Sequence, residues 1–261
     1  MVTPSQAVVV VTGGASGIGK ALAERVAAEG ARAVVVADRD GEGAARVAAT
    51  LGGVGTPLAL DVTDEAAVAA AIEEITATVG DIDIWCSNAG VPTGRGLGSD
   101  ADWDLGFRVH VLAHVYVARH LLPRMAARGQ GHLLITASAA GLLTEMDTAP
   151  YSVTKHGAVA LAEWLAIEYG DSGVSVSCLC PQGVRTAMTA GFDETSATLA
   201  AGALLEPSDV ADAVLAAWQE GRFLILPHSE VAEYERRRTA DRDRWLAGMR
   251  RLRARLHHDD A

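Results

Sequence analysis

The chain has 261 residues, 49% of them hydrophobic and 21% charged, a balance typical of a compact folded domain and not of a disordered or membrane protein. Its formal net charge of -11 argues against a nucleic-acid-binding surface. The first residues carry no basic region, and their apolar run is too short for a signal sequence or a membrane span. We therefore expect a cytoplasmic protein without a membrane partner.

Seven short runs rich in valine, isoleucine and leucine are apolar at consecutive positions, as expected for strands buried on both faces of a sheet. They lie at 7–11, 33–37, 57–60, 82–87, 132–136, 175–179 and 223–226. Stretches with helical apolar spacing separate them, and these include 18–29, 64–79, 102–127 and 151–170. The alternation predicts right-handed βαβ crossovers and a doubly wound, mostly seven-stranded parallel α/β sheet with helices on both faces.

No linker or internal repeat divides the chain, so we expect one domain over residues 1–228, including a substrate loop at about 187–206. The tail, 229–261, is rich in arginine and carries apolar residues at helical spacing between Trp245 and Leu252. Because acidic residues alternate with the arginines, we expect a helix that packs on the domain or on a neighbouring subunit. A membrane or acidic-partner element is the alternative.

A glycine-rich sequence, TGGASGIG at 12–19, follows the first predicted strand and opens the first predicted helix. Gly13, Gly17 and Gly19 remove side chains where the backbone turns tightly, which lets the N-terminal N–H groups of the helix approach a pyrophosphate. Asp38 ends the second strand, at about the distance that a dinucleotide-binding fingerprint requires. The sequence therefore predicts a dinucleotide site at this edge of the sheet.

Asp38 also indicates which dinucleotide is bound. Its carboxylate can accept hydrogen bonds from both ribose hydroxyls, and its charge would repel a 2′-phosphate. The position before Gly17 is Ser16 and not a basic residue, which leaves Arg39 as the nearby cation that could accept a phosphate. We therefore expect NAD as the cofactor, with NADP as the less favoured alternative.

The sequence YSVTK places Tyr151 four residues before Lys155, one of only two lysines in the chain. On a helix this spacing puts both side chains on one face. A neighbouring ammonium group favours the phenolate and lowers the pKa of a tyrosine toward neutral pH. The pair is a candidate general acid or base, although the same spacing also arises by chance on helices.

These motifs, in this order, resemble the short-chain dehydrogenases/reductases over about residues 7–190. The resemblance implies a single-domain Rossmann fold, and it implies that Ser138, within ITASAAG at 135–141, acts with Tyr151 and Lys155 in catalysis. It also implies cofactor contacts from a larger set of matching positions. These are Gly13, Ser16, Gly17, Ile18, Gly19, Asp38, Arg39, Asp61, Val62, Asn88, Ala89, Gly90, Tyr151, Lys155, Val184 and Thr186.

Two positions depart from the family pattern. His110 stands where the family has an asparagine whose main-chain carbonyl holds a water that links the active-site lysine to solvent. A carbonyl survives the change, and the imidazole of His110 could join this proton relay or could simply replace the asparagine in packing. Gln182 replaces the glycine of a Pro-Gly pair, while Val184 and Thr186 still match the contacts to the nicotinamide carboxamide.

No metal site is expected. Cys86, Cys178 and Cys180 lie in apolar runs typical of core strands, with no further cysteine nearby to complete a tetrahedral set. His110 and His114 are four residues apart, a spacing that can bind a metal, but the sequence shows no third ligand near them.

The motifs and the resemblance together predict an NAD(P)-dependent enzyme that interconverts a secondary alcohol and a ketone. Tyr151 would exchange the hydroxyl proton, Ser138 would orient the oxygen, and Lys155 would lower the pKa of Tyr151 and bind the nicotinamide ribose. The alternatives are an NADPH-dependent reductase of carrier-bound 3-oxoacyl groups and a non-catalytic dinucleotide sensor. The resemblance further implies a homodimer or homotetramer.

The substrate is expected to lie between the segments 91–101, 142–150 and 187–206, which are loops of the kind that vary on a fixed scaffold. Apolar residues in them predict a mostly apolar pocket, namely Leu142, Leu143, Met146, Met188 and Phe192. Acidic residues disfavour an anionic substrate unless an arginine faces inward; the acids are Glu145, Asp147 and Asp193, and the arginines are Arg95 and Arg185. We therefore expect a neutral, moderately hydrophobic secondary alcohol or ketone.

Overall fold

The computed structural model describes residues 3–190 and 204–256, and a seven-stranded sheet forms the centre of this part of the chain. All neighbouring strands pair in parallel. The strands are β1 (Val8–Thr12), β2 (Ala33–Asp38), β3 (Gly55–Ala59), β4 (Ile84–Ser87), β5 (Gly131–Thr136), β6 (Val174–Leu179) and β7 (Leu224–Ile225). The predicted doubly wound parallel sheet is confirmed.

Helices connect these strands and cover both faces of the sheet. They are α1 (Gly17–Ala28), α2 (Gly41–Thr50), α3 (Glu65–Thr78), α4 (Asp100–Phe107), α5 (Ala113–Arg128), α6 (Ala140–Leu143), α7 (Ala149–Tyr169), α8 (Pro207–Glu220), α9 (Glu230–Ala240) and α10 (Arg242–Leu256). None of the helices in the described ranges is long and apolar enough to span a membrane.

The strand order, β3-β2-β1-β4-β5-β6-β7, places a switch point between β1 and β4. The chain builds outward from β1 to β3, then returns to the other side of β1 and builds outward again. Loops that leave β1 and β4 therefore turn to opposite sides and open a crevice at the carboxyl ends of these strands. The crevice is where the functional side chains gather.

The strands are apolar on both faces because each face of the sheet has its own core. Val10 and Trp85 belong to the core on the side of α3, α5 and α7. Their chain neighbours Val9 and Ile84 belong to the core on the side of α1 and α8. All four side chains are fully buried. Alternation along a strand thus places every residue against helices, which explains the uninterrupted apolar runs.

Helix α7 carries the YSVTK sequence, and its start is fixed by local chemistry. Thr148 is the N-cap, and its hydroxyl accepts a hydrogen bond from the N–H of Tyr151 at 3.4 Å. Pro150 lies in the first turn, where its fixed φ suits a helix and its missing N–H costs nothing. Tyr151 therefore enters the crevice from the first turn of a rigid helix.

The predicted helix at 102–127 is interrupted. Between α4 and α5, residues Arg108–Leu112 form a π-helical segment, a wider turn that is often found at functional sites. The segment buries His110 completely against α7 and the chain that follows β4. A regular α-helix would rotate the following residues differently, so the π-turn decides where His110 points.

Residues 229–256, here called the C-terminal arm, form α9 and α10. Val231 of α9 is fully buried in the core on the α7 side of the sheet. Arg238 donates a hydrogen bond to Nε2 of His156 on α7 at 3.3 Å, and the Nδ1–H of His156 donates to the carbonyl of Ser152 at 2.8 Å. The arm thus packs on its own domain, next to the helix that carries Tyr151.

We predict that Leu134→Ala, in the fully buried centre of β5, lowers the free energy of unfolding by about 2–5 kcal/mol, because it leaves a cavity between strand and helix. Leu97→Ala is the matched control, since that side chain is 79% exposed. Chemical denaturation of the two variants measures the difference. Equal losses of stability would contradict the assignment of Leu134 to the core.

Candidate active site

A single continuous cavity of about 1380 Å³ lies along the crevice at the carboxyl ends of the strands. Its walls include the glycine-rich loop at one end, Ser138 and Tyr151 in the middle, and the C-terminal arm at the other end. Its volume exceeds the ~300–1,000 Å³ typical of a site for one drug-sized ligand. The cavity can therefore hold a dinucleotide together with a second molecule.

The glycine-rich loop is packed so tightly that side chains are excluded. Gly13 has a φ of +66°, and a Cβ added there would lie 2.9 Å from the Cα of Ala89. A Cβ on Gly19 would lie 2.1 Å from the carbonyl oxygen of Gly13. Gly17, with a φ of +52°, borders the cavity at the start of α1. The loop is a cradle that brings backbone N–H groups to a ligand, which fits a pyrophosphate.

Thr12 joins the ends of β1 and β4 below this cradle. Its hydroxyl oxygen accepts hydrogen bonds from the N–H groups of Asn88 at 2.9 Å and Ala89 at 3.2 Å. The side-chain amide of Asn88 donates to the carbonyl of Thr12 at 3.1 Å. Gly90 follows, and a Cβ there would lie 3.9 Å from both Lys155 and His110. The predicted residues 88–90 thus connect the end of the cavity at the glycine-rich loop to its centre.

Asp38 sits at the carboxyl end of β2 with both carboxylate oxygens held. Oδ2 accepts from the N–H of Ala15 at 3.1 Å, and Oδ1 accepts from the N–H of Asp40 at 3.0 Å. Arg39, the next residue in the chain, lines the cavity beside it. Arg46 on α2 also lines the cavity, and its guanidinium group lies 3.5 Å from the carboxylate of Asp40. Arg46 was not identified from the sequence, because it lies outside the glycine-rich motif and the strand that ends at Asp38.

The remaining cofactor positions lie on the same cavity. Asp61 accepts hydrogen bonds from the N–H of Thr63 at 2.9 Å and from its hydroxyl at 2.8 Å, and these bonds lower the pKa of the carboxyl. The cavity wall includes every predicted cofactor residue except Gly19, which supports the loop from beneath. The remaining members on the wall are Ser16, Ile18, Val62, Val184 and Thr186.

Gln182 does not distort the loop in which it replaces glycine. Outside glycine, the positive φ values in the described ranges occur at Gln6 and Thr144, so Gln182 adopts an ordinary conformation. Its N–H donates to Nδ1 of His228 at 3.2 Å, and Nε2–H of His228 donates to the carbonyl of Gly183 at 3.1 Å. A buried histidine thus clamps this loop against the cavity.

Ser138, Tyr151 and Lys155 meet at the centre of the cavity. The hydroxyl of Ser138 accepts a hydrogen bond from the N–H of Ala140 at 3.1 Å and donates to the carbonyl of Pro181 at 3.4 Å, and it lies near enough to Tyr151 to influence the pKa of the phenol. The ammonium group of Lys155 donates to the carbonyl of Thr136 at 3.0 Å and lies 5.7 Å from the ring centre of Tyr151. The three predicted residues are therefore brought together.

The expected lowering of the Tyr151 pKa by Lys155 does not appear in this structure. Burial raises the pKa of Tyr151, the neighbouring hydroxyl of Ser138 opposes that rise, and the charge of Glu145 adds to it. Lys155 lies over the ring and not at the hydroxyl, and its ammonium group is held by Thr136. Burial also lowers the pKa of Lys155 to about 8.

His110 lies behind the cavity wall and not on it. Thr154 uses its hydroxyl proton for the carbonyl of Pro150 at 2.7 Å, so Nδ1–H of His110 donates to the hydroxyl oxygen of Thr154 at 2.9 Å. Nε2 then accepts from the N–H of Val91 at 3.2 Å. Burial, with the nearby charge of Lys155, lowers the pKa of His110 to about 2. The neutral imidazole links α7 to the chain after β4, which favours positioning over proton transfer.

His114 makes a hydrogen bond too. Its Nδ1 lies 2.6 Å from the hydroxyl of Ser87, and the ring is buried. In residues 3–190 and 204–256, no three histidine, cysteine, aspartate or glutamate side chains gather as metal ligands.

The expected substrate segments border the far half of the cavity. Leu143, Met146 and Met188 lie on the wall, whereas Leu142 is buried beneath it. Phe192 and Asp193 lie outside the described residues. Of the two arginines considered, Arg95 lines the cavity, and Arg185 is paired with Glu206 at 2.6 Å and lies off the wall.

Glu145 and Asp147 also lie on this wall. The carboxylate of Glu145 accepts hydrogen bonds from the N–H groups of Asp147 at 2.8 Å and Thr148 at 3.0 Å. Burial nevertheless raises the pKa of Glu145 to about 7, with the charge of Asp147 acting in the same direction. The negative charge beside Tyr151 therefore depends on pH near neutrality.

Comparisons with known proteins identify the family of this chain. The family of short chain dehydrogenases matches residues 7–197. The 1-deoxy-11-beta-hydroxypentalenate dehydrogenase of Streptomyces avermitilis is 38% identical over 236 residues, which cover 87% of this chain and 86% of that protein. The cis-4-hydroxycyclohexanecarboxylate dehydrogenase of Sinomonas cyclohexanicum is 34% identical over 221 residues, covering 80% and 88%.

Among solved structures, a short chain dehydrogenase/reductase from Burkholderia phymatum in complex with NAD is 30% identical, with a TM-score of 0.81 over 93% of this chain and 96% of that one. The chain belongs to the short-chain dehydrogenase/reductase family. It is an oxidoreductase that interconverts a secondary alcohol and a ketone with a nicotinamide cofactor.

We predict that Glu145→Gln lowers the pKa of Tyr151 by roughly half a pH unit, because it removes a negative charge that opposes the phenolate. Absorbance titration of tyrosinate, with Tyr151→Phe to identify the signal, measures the shift. Glu220→Gln is the control, since that carboxylate is exposed and pairs with Arg222. A shift to higher pH in the Glu145 variant would contradict the prediction.

Proposed function

We propose that Tyr151 is the general acid and base of this enzyme, with Ser138 orienting the substrate oxygen. The observation that carries the proposal is that Tyr151, Ser138 and Lys155 line one cavity together, with the Lys155 ammonium group over the Tyr151 ring. In oxidation the substrate O–H proton passes to the Tyr151 oxygen. In reduction the same proton returns to the carbonyl oxygen, and each exchange is worth about 10²- to 10⁴-fold in rate.

We further propose that the glycine-rich cradle, Asp38, Asn88 and Thr186 hold the cofactor. Gly13 packs closely against Ala89, and Gly17 borders the cavity without a side chain. The absence of these side chains leaves room for a pyrophosphate at the start of α1. When bound, a nicotinamide dinucleotide supplies the hydride acceptor or donor, and its oxidised ring adds a positive charge. NAD is favoured over NADP because hydrogen bonds fix both oxygens of Asp38 at the ribose end, where the carboxylate would repel a 2′-phosphate.

Lys155 is proposed to keep its charge at the site in spite of burial. Its bond to the carbonyl of Thr136 holds the ammonium group between Tyr151 and the cofactor end of the cavity. A pKa of about 8 leaves it mostly protonated at neutral pH. The group can then stabilise the phenolate that forms when Tyr151 has lost its proton.

The substrate is proposed to be a secondary alcohol on a bulky, mostly apolar skeleton. The far half of the cavity is bordered by Leu105, Leu143, Met146 and Met188. Two relatives named for a hydroxypentalenate and a hydroxycyclohexanecarboxylate support a ring-bearing substrate.

A homodimer or homotetramer is proposed as well. Large apolar side chains are exposed on α4, the π-helical segment and α7, among them Phe107 at 42%, Trp164 at 57% and Ile167 at 83%. Trp164 and Ile167 are three residues apart and lie on one face of α7, and exposed apolar side chains that adjoin in this way commonly mark a contact with another chain.

We predict that Tyr151→Phe lowers kcat by at least about 10²-fold, because the phenyl ring offers no proton. Cofactor affinity should stay nearly unchanged, since the ring and its packing remain. Steady-state oxidation of a cyclic secondary alcohol, together with calorimetric titration of the cofactor, measures both quantities. Near-normal turnover by the variant would refute the assignment of Tyr151.

We predict that calorimetric titration at one pH and one salt concentration gives an affinity for NAD at least about tenfold above that for NADP, a difference of ~1.4 kcal/mol. Asp38→Asn should reduce this ratio toward one, because the amide no longer repels a 2′-phosphate. Asp104→Asn, an exposed carboxylate on α4 paired with Arg108, is the control. Tighter binding of NADP by the unaltered protein would instead mean that Arg39 and Arg46 govern the site.

A further inference from the structure

The C-terminal arm forms the outer wall of the far half of the cavity, where the substrate is proposed to bind. From α10, Trp245, Met249 and Leu252 line the cavity. Their spacing of four and three residues places them on one face of the helix. From α9, Tyr234 and Arg237 line it, three residues apart and likewise on one face. Two consecutive helices thus turn one face each toward the substrate.

The arm is held in place at the end nearest the catalytic helix. Val231 is buried in the core, and Arg238 bonds to His156, the residue after Lys155. These contacts fix α9 relative to α7, so the faces of the arm keep a defined position relative to Tyr151. An element that is anchored in this way can select a substrate by its shape and charge.

The wall contributed by the arm is apolar with one cation. On α10 the lining residues are aromatic or aliphatic, whereas Arg237 on α9 brings a guanidinium group. Its Nε–H donates to Glu233 at 2.7 Å, and this bond does not use the N–H groups on the two terminal nitrogens. A guanidinium binds a carboxylate through two parallel hydrogen bonds of such N–H groups. Arg95 borders the same cavity from the loop after β4.

The charge of the arm differs from that of the rest of the chain. Between 229 and 256 the sequence has nine arginines and five acidic residues, whereas the whole chain carries a formal charge of -11. A positive element at the mouth of a cavity in an acidic protein raises the local concentration of anions there. The cavity is therefore better suited to an anion at the arm than at Glu145.

We propose that the C-terminal arm recognises the end of the substrate remote from the reacting carbon, and that this end carries a carboxylate. Arg237 binds the carboxylate, while Met249 and its neighbours on α10 pack against the apolar skeleton. The substrate class is a ring-bearing hydroxy acid or its keto acid. The inference rests on the proposed function for the position of the reacting carbon. It replaces the expectation of a neutral substrate. That expectation made an exception for an arginine that faces the cavity, and Arg95 lines the cavity.

Arg237→Gln tests the carboxylate site, with Arg236→Gln as its matched control. Arg236 neighbours Arg237, pairs with the same Glu233 and is similarly exposed, at 76% against 64%, but it is not on the cavity wall. The probes are 4-hydroxycyclohexanecarboxylate and its uncharged methyl ester. We expect Arg237→Gln to raise KM for the acid by about tenfold or more, with kcat and the KM of the ester nearly unchanged. Arg237→Lys should restore part of the loss, and Arg236→Gln should change neither.

Met249→Ala tests the apolar wall, with Leu246→Ala as its control. Leu246 lies on the same helix, is 47% exposed and does not line the cavity. The probes are decahydronaphthalen-2-ol and cyclohexanol. We expect Met249→Ala to raise KM for the two-ring alcohol about fivefold and to affect cyclohexanol less. An equal rise in KM for decahydronaphthalen-2-ol in the Met249→Ala and Leu246→Ala variants would overturn the role of α10.

A binding measurement separates this inference from the proposed function. Calorimetric titration with 4-oxocyclohexanecarboxylate, with cofactor present, needs no turnover, so a wrong assignment of Tyr151 would not affect it. Weaker binding by Arg237→Gln but not by Arg236→Gln supports the inference even if no alcohol is oxidised. Failure of the unaltered protein to bind the keto acid more tightly than its methyl ester would overturn it, as would equal losses in the two arginine variants.

Discussion

Hydrogen bonds join the ends of β1 and β4 and fix the positions of the two loops that border the cavity. Thr12 accepts from two successive N–H groups after β4, and Asn88 returns a bond to β1. These bonds fix the two loops at the switch point of the sheet, where the crevice begins. The glycine-rich loop after β1 lies on one side of this junction. Gly90, which follows β4 and lies beside Lys155, is on the other side. The relative position of the two halves of the cavity therefore depends on this one junction between β1 and β4.

Burial sets the chemistry at the centre of the cavity, where Lys155 and Ser138 each have polar partners. Lys155 donates to a strand carbonyl, and the hydroxyl of Ser138 bonds to the backbone at Ala140 and Pro181. The rise in the pKa of Tyr151 keeps the phenol protonated, a form suited to donating a proton to a carbonyl oxygen. In the opposite direction, a positive charge at the site must offset that rise.

His110 shows how a substitution can keep a site intact by changing its connections. The π-helical segment directs the imidazole inward, where Thr154 and Val91 occupy its two nitrogens. One bond reaches the helix that carries Tyr151, and the other reaches the chain that borders the cavity. A neutral ring between these elements fixes their separation, and the low pKa of His110 keeps it neutral throughout the physiological range.

The sequence by itself determined the sheet and pointed to the residues that the structure brings together at the centre of the cavity. Continuous apolar runs identify buried parallel strands, and a short motif such as YSVTK or TGGASGIG is local, so its residues lie close together wherever the chain folds. Only the tertiary structure decided the rest. The sequence shows the apolar spacing of Trp245 and Met249, but not which surface they cover, because that depends on Val231 and Arg238 anchoring the arm beside α7. The direction of the Tyr151 pKa likewise depends on burial and on the position of Lys155 over the ring, which no local spacing specifies.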